Sequence, residues 1–486
     1  MTTGPTARPE PEVERWLKPV PETARTVAVS GQFYLWAGAN LAPINWVLGA
    51  LGIQLGLGLA DTIGVLVVGN GIGMLLFGGF VLLGQRSGAT GMVLGRAAFG
   101  RQGNYLPASL QALTAIGWCA INTWIILDLV MALLGLLGWL DASQRNLLAR
   151  MVVASVLMAI QVGIAGAGYR AMTTFERWTV PPTLLVLVAM SGVVWLSLGI
   201  DWQYAGPAGH VLVGHDRLAA LSVVMTAIGI GWGITWFTFA ADYSRFVSRT
   251  VPAGRLYLVS VLGQFIPVVW LGILGATLAT RHGSADPGQL IVANFGMLAI
   301  PVLLLVLHGP IATNILNLYT FSVTAQALDI RLDRRWLNGV VGALALTAVV
   351  VLIQQDEFAK VLDAWLVALV GWVAAWAGVM LVHYYWLERR QSLPIDWLFA
   401  PANDSPLPAV NWAGIGALLV GMLATWLCMY GLLPATQGPV AVAMGGVDLS
   451  WLAGGVVSAT VYATLGPSAW RRLPLNRSAE PENSCL

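Results

Sequence analysis

The chain has 486 residues, 57% of them hydrophobic and 10% charged, and a formal net charge of +2. A soluble domain carries about a quarter charged residues, so the composition excludes an ordinary globular protein, and a charge this small implies no nucleic-acid partner. The three cysteines, Cys119, Cys428 and Cys485, fit neither a disulfide framework nor a zinc spacing.

Residues 1–28 are rich in proline and charge and contain no apolar stretch, which reads as a soluble tail rather than a cleaved signal peptide. Apolar runs follow, each of about 20 residues and so long enough for a bilayer core of about 30 Å. Twelve are predicted, near 31–53, 61–84, 107–138, 147–168, 178–199, 220–243, 255–280, 296–322, 338–355, 362–386, 412–433 and 449–467. A polar tail, 468–486, closes the chain. The fold class is therefore an all-α, multi-pass membrane protein with a twelve-helix domain over 29–467.

With the N-terminus inside, the inner segments hold 20 of the 25 basic residues, from Arg8, Arg15, Lys18 and Arg25 to Arg471, Arg472 and Arg477. The outer side keeps Arg145, Arg150, Arg217, Arg281 and Lys360. A bias that alternates loop by loop follows the positive-inside rule. It predicts cytoplasmic termini in a cell (inner) membrane.

Spans one to five (31–199) and six to ten (220–386) are nearly equal in length, and five is odd, so the second set enters the membrane inverted. Span one carries Gly38, Asn40 and Pro43 in mid-membrane, and span six carries Gly229, Gly231 and Gly233. Gly costs about 1 kcal/mol and Pro about 3 kcal/mol inside a helix. Breaks at matching places in two halves predict discontinuous helices at a binding site, as in secondary transporters built from inverted repeats. Spans eleven and twelve (412–467) are additional. The glycines from Gly69 to Gly79 predict close helix contacts through small residues.

Span three contains A-I-G-W-C-A-I-N-T-W, Ala115 to Trp124. Trp118 and Asn122 stand four residues apart, on one helix face. An indole with a carboxamide one turn away suits a small, flat, polar heterocycle at membrane depth. Asp128, six residues past Asn122, is rotated about 120° from it; a membrane carboxylate is a functional candidate by default.

Four stretches resemble the nucleobase:cation symporter-1 family, which includes purine–cytosine and hydantoin permeases. They are Gly84 to Pro107, with Arg86, Gly88, Arg96, Phe99 and Gly100; the Trp118 and Asn122 motif; A-A-D-Y-S-R-F, Ala240 to Phe246; and A-T-N-I-L-N-L-Y, Ala312 to Tyr319. The resemblance implies a five-plus-five inverted repeat like that of the leucine transporter plus two helices, with the substrate between spans one, three, six and eight. Gly38 and Asn40 of span one belong to that site.

On the same resemblance, Trp118 is the stacking indole and Asn122 the amide position. A second aromatic in span six falls at Trp232, with Trp236 in reserve. Asn314 and Asn317 would meet the remaining polar edge. A sodium site would take carbonyls of Ala37 and Asn40 and hydroxyls of span eight; Thr313 supplies one, but Ala312 supplies none. That loss favours H+ over Na+ as coupling cation and turns attention to His308 and Asp128. No metal site is expected beyond that sodium position. Asp242 and Arg245 read as gating or structural residues touching Arg86 or Arg96, with Glu176 and Arg177 in a similar part.

Neither lysine, Lys18 or Lys360, follows a glycine, so a Walker A motif is absent and no ATPase subunit is implied. Paired catalytic groups are absent too, which argues against an enzyme. No cofactor is expected. The predicted function is import of cytosine or purines by cation symport. The alternatives are another flat heterocycle, such as hydantoin, allantoin or a thiamine precursor, and an uncoupled facilitator.

Overall fold

The computed structural model describes residues 18–140, 146–167, 169–207, 209–282, 287–354, 358–389 and 393–470. Most of both tails, with Arg8, Arg15, Arg471, Arg472, Arg477 and Cys485, lies outside them, as does Arg145. Every regular element among the described residues is helical, and nine helices are long and apolar enough to cross a membrane.

The first apolar run forms two helices, α1 (Val29–Asn40) and α2 (Ile44–Gln54). The long helices α3 (Leu59–Ser87), α5 (Tyr105–Leu136), α6 (Leu147–Ala167) and α7 (Tyr169–Ser197) follow, with the short α4 (Gly91–Phe99) between α3 and α5. The sixth run is divided into α8 (Gly214–Val224), α9 (Ile230–Thr235) and α10 (Phe237–Ser244). After α11 (Ala253–His282) and α12 (Pro287–Phe295), the eighth run gives α13 (Ala299–Val306) and α14 (His308–Ala327). Then come α15 (Arg334–Leu352), α16 (Phe358–Val382), α17 (Asp396–Phe399), α18 (Trp412–Leu427), α19 (Pro439–Ala443) and α20 (Ser450–Trp470).

Both expected interruptions occur. Pro43 has no N–H to continue α1, and Leu41 leaves helical geometry at ψ 58°. The side chains of Asn40 and Asn45 hold the break: Asn40 Nδ2 donates to Trp36 O at 2.8 Å, and Asn45 Nδ2 to Asn40 O at 2.5 Å. In the sixth run Met225–Gly229 widen into a π-turn, closed by the Ile230 N–H on Met225 O. Gly231 fits there because a Cβ would stand 1.6 Å from Thr226 O. A second step falls at Trp236, between α9 and α10.

α3 packs against α9 and α10, and α11 lies along α1, α2 and α3. The glycine run of α3 makes the contact with α9 possible: a Cβ on Gly73 would come 3.0 Å from the Gly233 Cα. Such small-residue contacts let two backbones touch where lipid supplies no hydrophobic drive. α5 packs on α14, and α16, α18 and α20 form a group of their own.

At the C-terminal end of α14, Asp329 takes a left-handed conformation, φ 59°, and gathers three partners. Arg101 binds it through two nitrogens at 2.7 and 2.8 Å, Arg96 at 3.0 Å and the Tyr105 hydroxyl at 2.5 Å. Burial works to raise the Asp329 carboxyl, and the Arg101 and Tyr105 hydrogen bonds outweigh it, so it titrates below the ordinary carboxylate range. Burial, seconded by repulsion from Arg101, lowers the Arg96 guanidinium to about 10.

This clamp corrects the expected partners of Asp242 and Arg245. Asp242 Oδ1 accepts the Gly91 N–H at 3.0 Å, and Arg245 donates to the Tyr319 hydroxyl at 2.9 Å. Arg96 is turned to Asp329, Leu398 O and the end of α14, and Arg86 makes no contact with Asp242 among the described residues. The α4 backbone meets the Asp242 carboxylate, and the arginine that touches Asp242 is Arg245, whose Nε donates to the Asp242 carbonyl oxygen at 3.2 Å.

Candidate functional site

The two helix breaks face α5 and α14 across a closed pocket lined by Ala39, Ile44, Trp118, Asn122, Trp232, Thr235, Trp236, Phe239, Thr313 and Asn317. Its cavity volume is about 10 Å³, room for about one water. A planar ligand therefore needs the indoles to move.

Three tryptophans form the apolar wall. The Trp118 and Trp232 ring centroids are 5.7 Å apart with planes at 87°, and Trp232 and Trp236 are 6.3 Å apart at 77°. Such edge-to-face pairs add about 0.5–1.5 kcal/mol to the burial of the rings. Trp365 of α16 meets Trp118 from another side, at 6.0 Å and 90°. Trp232 is fixed by its N–H, which donates to Asn40 Oδ1 at 3.3 Å. Trp236 differs: its buried indole N–H has no partner among the described residues. Burying an unpaired donor costs about 1–3 kcal/mol, so this N–H is suited to receive a ligand oxygen.

The polar wall is a chain of amides. Asn122 Nδ2 donates to Asn314 Oδ1 at 3.1 Å, and Asn317 Nδ2 reaches the same oxygen at 3.5 Å. Asn314 Nδ2 donates onward to Cys119 O, Thr123 Oγ1 and Gln161 Oε1 at 3.0, 3.0 and 2.8 Å. Asn314 thus stands behind the pocket and orients the two amides that line it.

Of the predicted contact residues, Trp118, Asn122, Trp232, Trp236 and Asn317 line the pocket, while Asn314 and Asn40 support it one step away. Gly38 faces elsewhere, toward Val180 and Glu176 of α7. The oxygens expected at a cation site have internal donors. Ala37 O accepts Leu41 N–H at 2.8 Å, Asn40 O accepts Asn45 Nδ2, and Thr313 Oγ1 donates to Ala39 O and Gly309 O, both at 3.0 Å. Ala312 is buried and brings only a methyl group. His308 lies off the pocket, stacked on Phe175 at 5.5 Å and 27°. Asp128 is ion-paired with Arg150.

Sequence reasoning missed Ala39, Ile44, Thr235 and Phe239, which are apolar or small and carry no chemical signal. It also missed Gln161 and Gln264. Gln161 closes the amide chain from α6, and Gln264 Oε1 takes Asn40 Nδ2 at 2.6 Å. A glutamine inside an apolar span was the available signal, since a buried amide needs partners.

Residues 19–454 match the family described as permease for cytosine/purines, uracil, thiamine, allantoin. The cytosine permease of Escherichia coli (strain K12) is 26% identical over 427 residues, 84% of this chain and 88% of that protein. The purine-cytosine permease fcyB of Emericella nidulans is 22% identical over 476 residues, 93% of this chain and 88% of that one. Among solved structures, Mhp1, a nucleobase-cation-symport-1 family transporter in a closed conformation with bromovinylhydantoin bound, has the same fold: TM-score 0.74, 20% identity, 96% of this chain and 97% of that one covered.

Proposed function

The chain belongs to the nucleobase:cation symporter family of permeases for cytosine/purines, uracil, thiamine and allantoin, and from that premise we propose that it imports cytosine or a purine together with a proton. As a member it is a multi-pass membrane transporter and not an enzyme.

One observation carries the substrate reading: three indoles, an orphan N–H and two amide side chains converge on a single closed pocket between the helix breaks. Stacking on an aromatic face is worth about 1–3 kcal/mol per base and barely depends on the base. In this reading Trp118 supplies the stacking face and Trp232 or Trp236 turns to cover the other. Trp236 N–H donates to a carbonyl of the base, and Asn122 and Asn317 meet its mixed donor and acceptor edge, as amides do with adenine. The relatives named for cytosine and purines support this choice. The bromovinylhydantoin bound to Mhp1 favours a second reading, a hydantoin-like ring, which the same wall would accept.

Proton rather than sodium coupling is supported by the oxygens of the first break. A hard cation needs about six oxygen ligands. Here the carbonyls of Ala37, Ala39 and Asn40 already accept N–H or O–H donors, and Ala312 withholds the second hydroxyl. The proposed architecture has twelve spans: an inverted pair of five-span repeats at 31–199 and 220–386, two further spans at 412–467, and both termini cytoplasmic. Cytosine uptake into proteoliposomes tests the whole reading. Accumulation under an inward proton gradient, unchanged when sodium is removed, is expected. Equilibration without accumulation would identify a facilitator.

A further inference from the structure

We propose that Glu176 is a proton-binding site built against the break in the first span, an inference that rests on the proton-coupling reading above. Glu176 and Val180 stand one turn apart on α7 and both face Gly38: the Glu176 carboxyl carbon lies 4.0 Å, and the Val180 Cγ2 3.6 Å, from where a Gly38 Cβ would stand. Glu176 has no hydrogen bond or ion pair with any described residue. The neighbouring Phe175 ring stacks on His308, whose two buried ring nitrogens have no partner among the described residues.

The end of α1 supplies the reason for an acid there. A helix leaves its last carbonyls without intrahelical donors. At this end Ala37 O accepts Leu41 N–H, Ala39 O accepts Thr313 Oγ1 and Asn40 O accepts Asn45 Nδ2. Gly38 O receives no donor among the described residues. A protonated carboxyl brings an O–H donor to the residue that carries this carbonyl, whereas a carboxylate only adds negative charge at the negative end of a helix. Protonation of Glu176 therefore stabilises the break and its loss destabilises it. Ala39, the next residue, lines the substrate pocket. The two sites thus share one stretch of broken backbone, which lets either ligand change affinity for the other.

The elements packed on α7 bring few rivals for that proton. α14 contributes His308 and Tyr319, and Tyr319 is bonded by Arg245. α6 contributes Arg150, paired with Asp128, and α13 contributes no titratable group. α11 brings Arg255, Tyr257 and Arg281, of which Tyr257 donates to Leu75 O and Arg281 to Leu198 O. From α10, Tyr243 is near enough to feel the Glu176 charge and donates its hydroxyl to Leu316 O at 3.0 Å. On α7 itself Arg177 is exposed.

Infrared difference spectra of the purified protein, stepped from alkaline to acidic pH, test the site without any substrate. The expected result is a carboxylic C=O stretch that grows on acidification and is lost in Glu176→Gln. An identical band in Glu176→Gln, or no such band in the unmodified protein, overturns the proposal. Proteoliposomes loaded with cytosine give the functional arm. Glu176→Gln, which keeps a donor but cannot release a proton, should exchange cytosine near the normal rate yet fail to accumulate it under a proton gradient. Glu176→Asp should recover part of the accumulation. Proton-driven accumulation in Glu176→Gln overturns the role of Glu176 alone. Cytosine uptake that ignores the proton gradient in the unmodified protein overturns the coupling reading and this proposal with it.

Discussion

The indole of Trp118 meets that of Trp232 edge to face, with 5.7 Å between ring centroids, and nothing larger than a water fits in the pocket they share. A flat base has to displace this contact to stack on Trp118. Trp118→Ala removes the stacking face, and the loss of about 1–3 kcal/mol corresponds to about 5- to 150-fold weaker binding. Titration of the purified variant against cytosine, followed by tryptophan fluorescence, reads this change. Unchanged affinity would remove Trp118 from the site.

Trp236→Phe keeps an aromatic ring and deletes the orphan N–H together with the five-membered ring that carries it. A net hydrogen bond is worth about 0.5–1.5 kcal/mol, so affinity for a base with a ring carbonyl should fall about 2- to 13-fold. Adenine, which has no carbonyl, feels only the loss of ring surface and should lose less affinity in the variant than a base with a ring carbonyl. The ratio of the two affinities checks the assignment of this N–H.

Asn314→Ala should damage stability and binding together. Its amide nitrogen serves three buried acceptors and its oxygen orients Asn122 and Asn317. Leaving one buried polar partner unpaired costs about 1–3 kcal/mol. A lower melting temperature with weakened cytosine binding is expected. Asn317→Ala, at the pocket surface, should weaken binding with a smaller loss in melting temperature.

Those amides mark how far the sequence could be read. The four-residue spacing of Trp118 and Asn122 put both on one face, and both line the pocket, because helix periodicity is a local property. Pro43 and the glycines of the sixth run announced their breaks for the same reason. Partners from distant helices were not legible. Nothing in the spacing says that Arg96 turns to Asp329 rather than Asp242, that Gly38 faces α7 instead of the pocket, or that His308 lies against Phe175. The rotation of each broken helix about its axis decides these contacts, and side-chain packing sets that rotation.

Asp329 gives a pH dependence. Its carboxyl is held below the ordinary value of about 3.9 by Arg101 and Tyr105 against the opposing effect of burial. A group depressed in the folded state contributes stability above its unfolded pKa and loses it as pH falls through the folded value. Asp329→Asn, which suits the left-handed backbone at φ 59°, should melt lower than the unmodified protein at neutral pH. The difference should close as pH drops below about 4. Melting curves of both proteins across that range measure it.

The most direct measurement is thermal stabilisation of the purified protein by cytosine, uracil, adenine, guanine, hypoxanthine, hydantoin and allantoin, repeated on Trp118→Ala. A ligand at 100 times its dissociation constant stabilises by about 2.7 kcal/mol. At least one nucleobase should raise the melting temperature of the unmodified protein, and the shift should vanish or shrink in Trp118→Ala. If no base or hydantoin produces a shift, or if the shift survives intact without Trp118, the pocket between the two helix breaks is not the nucleobase site.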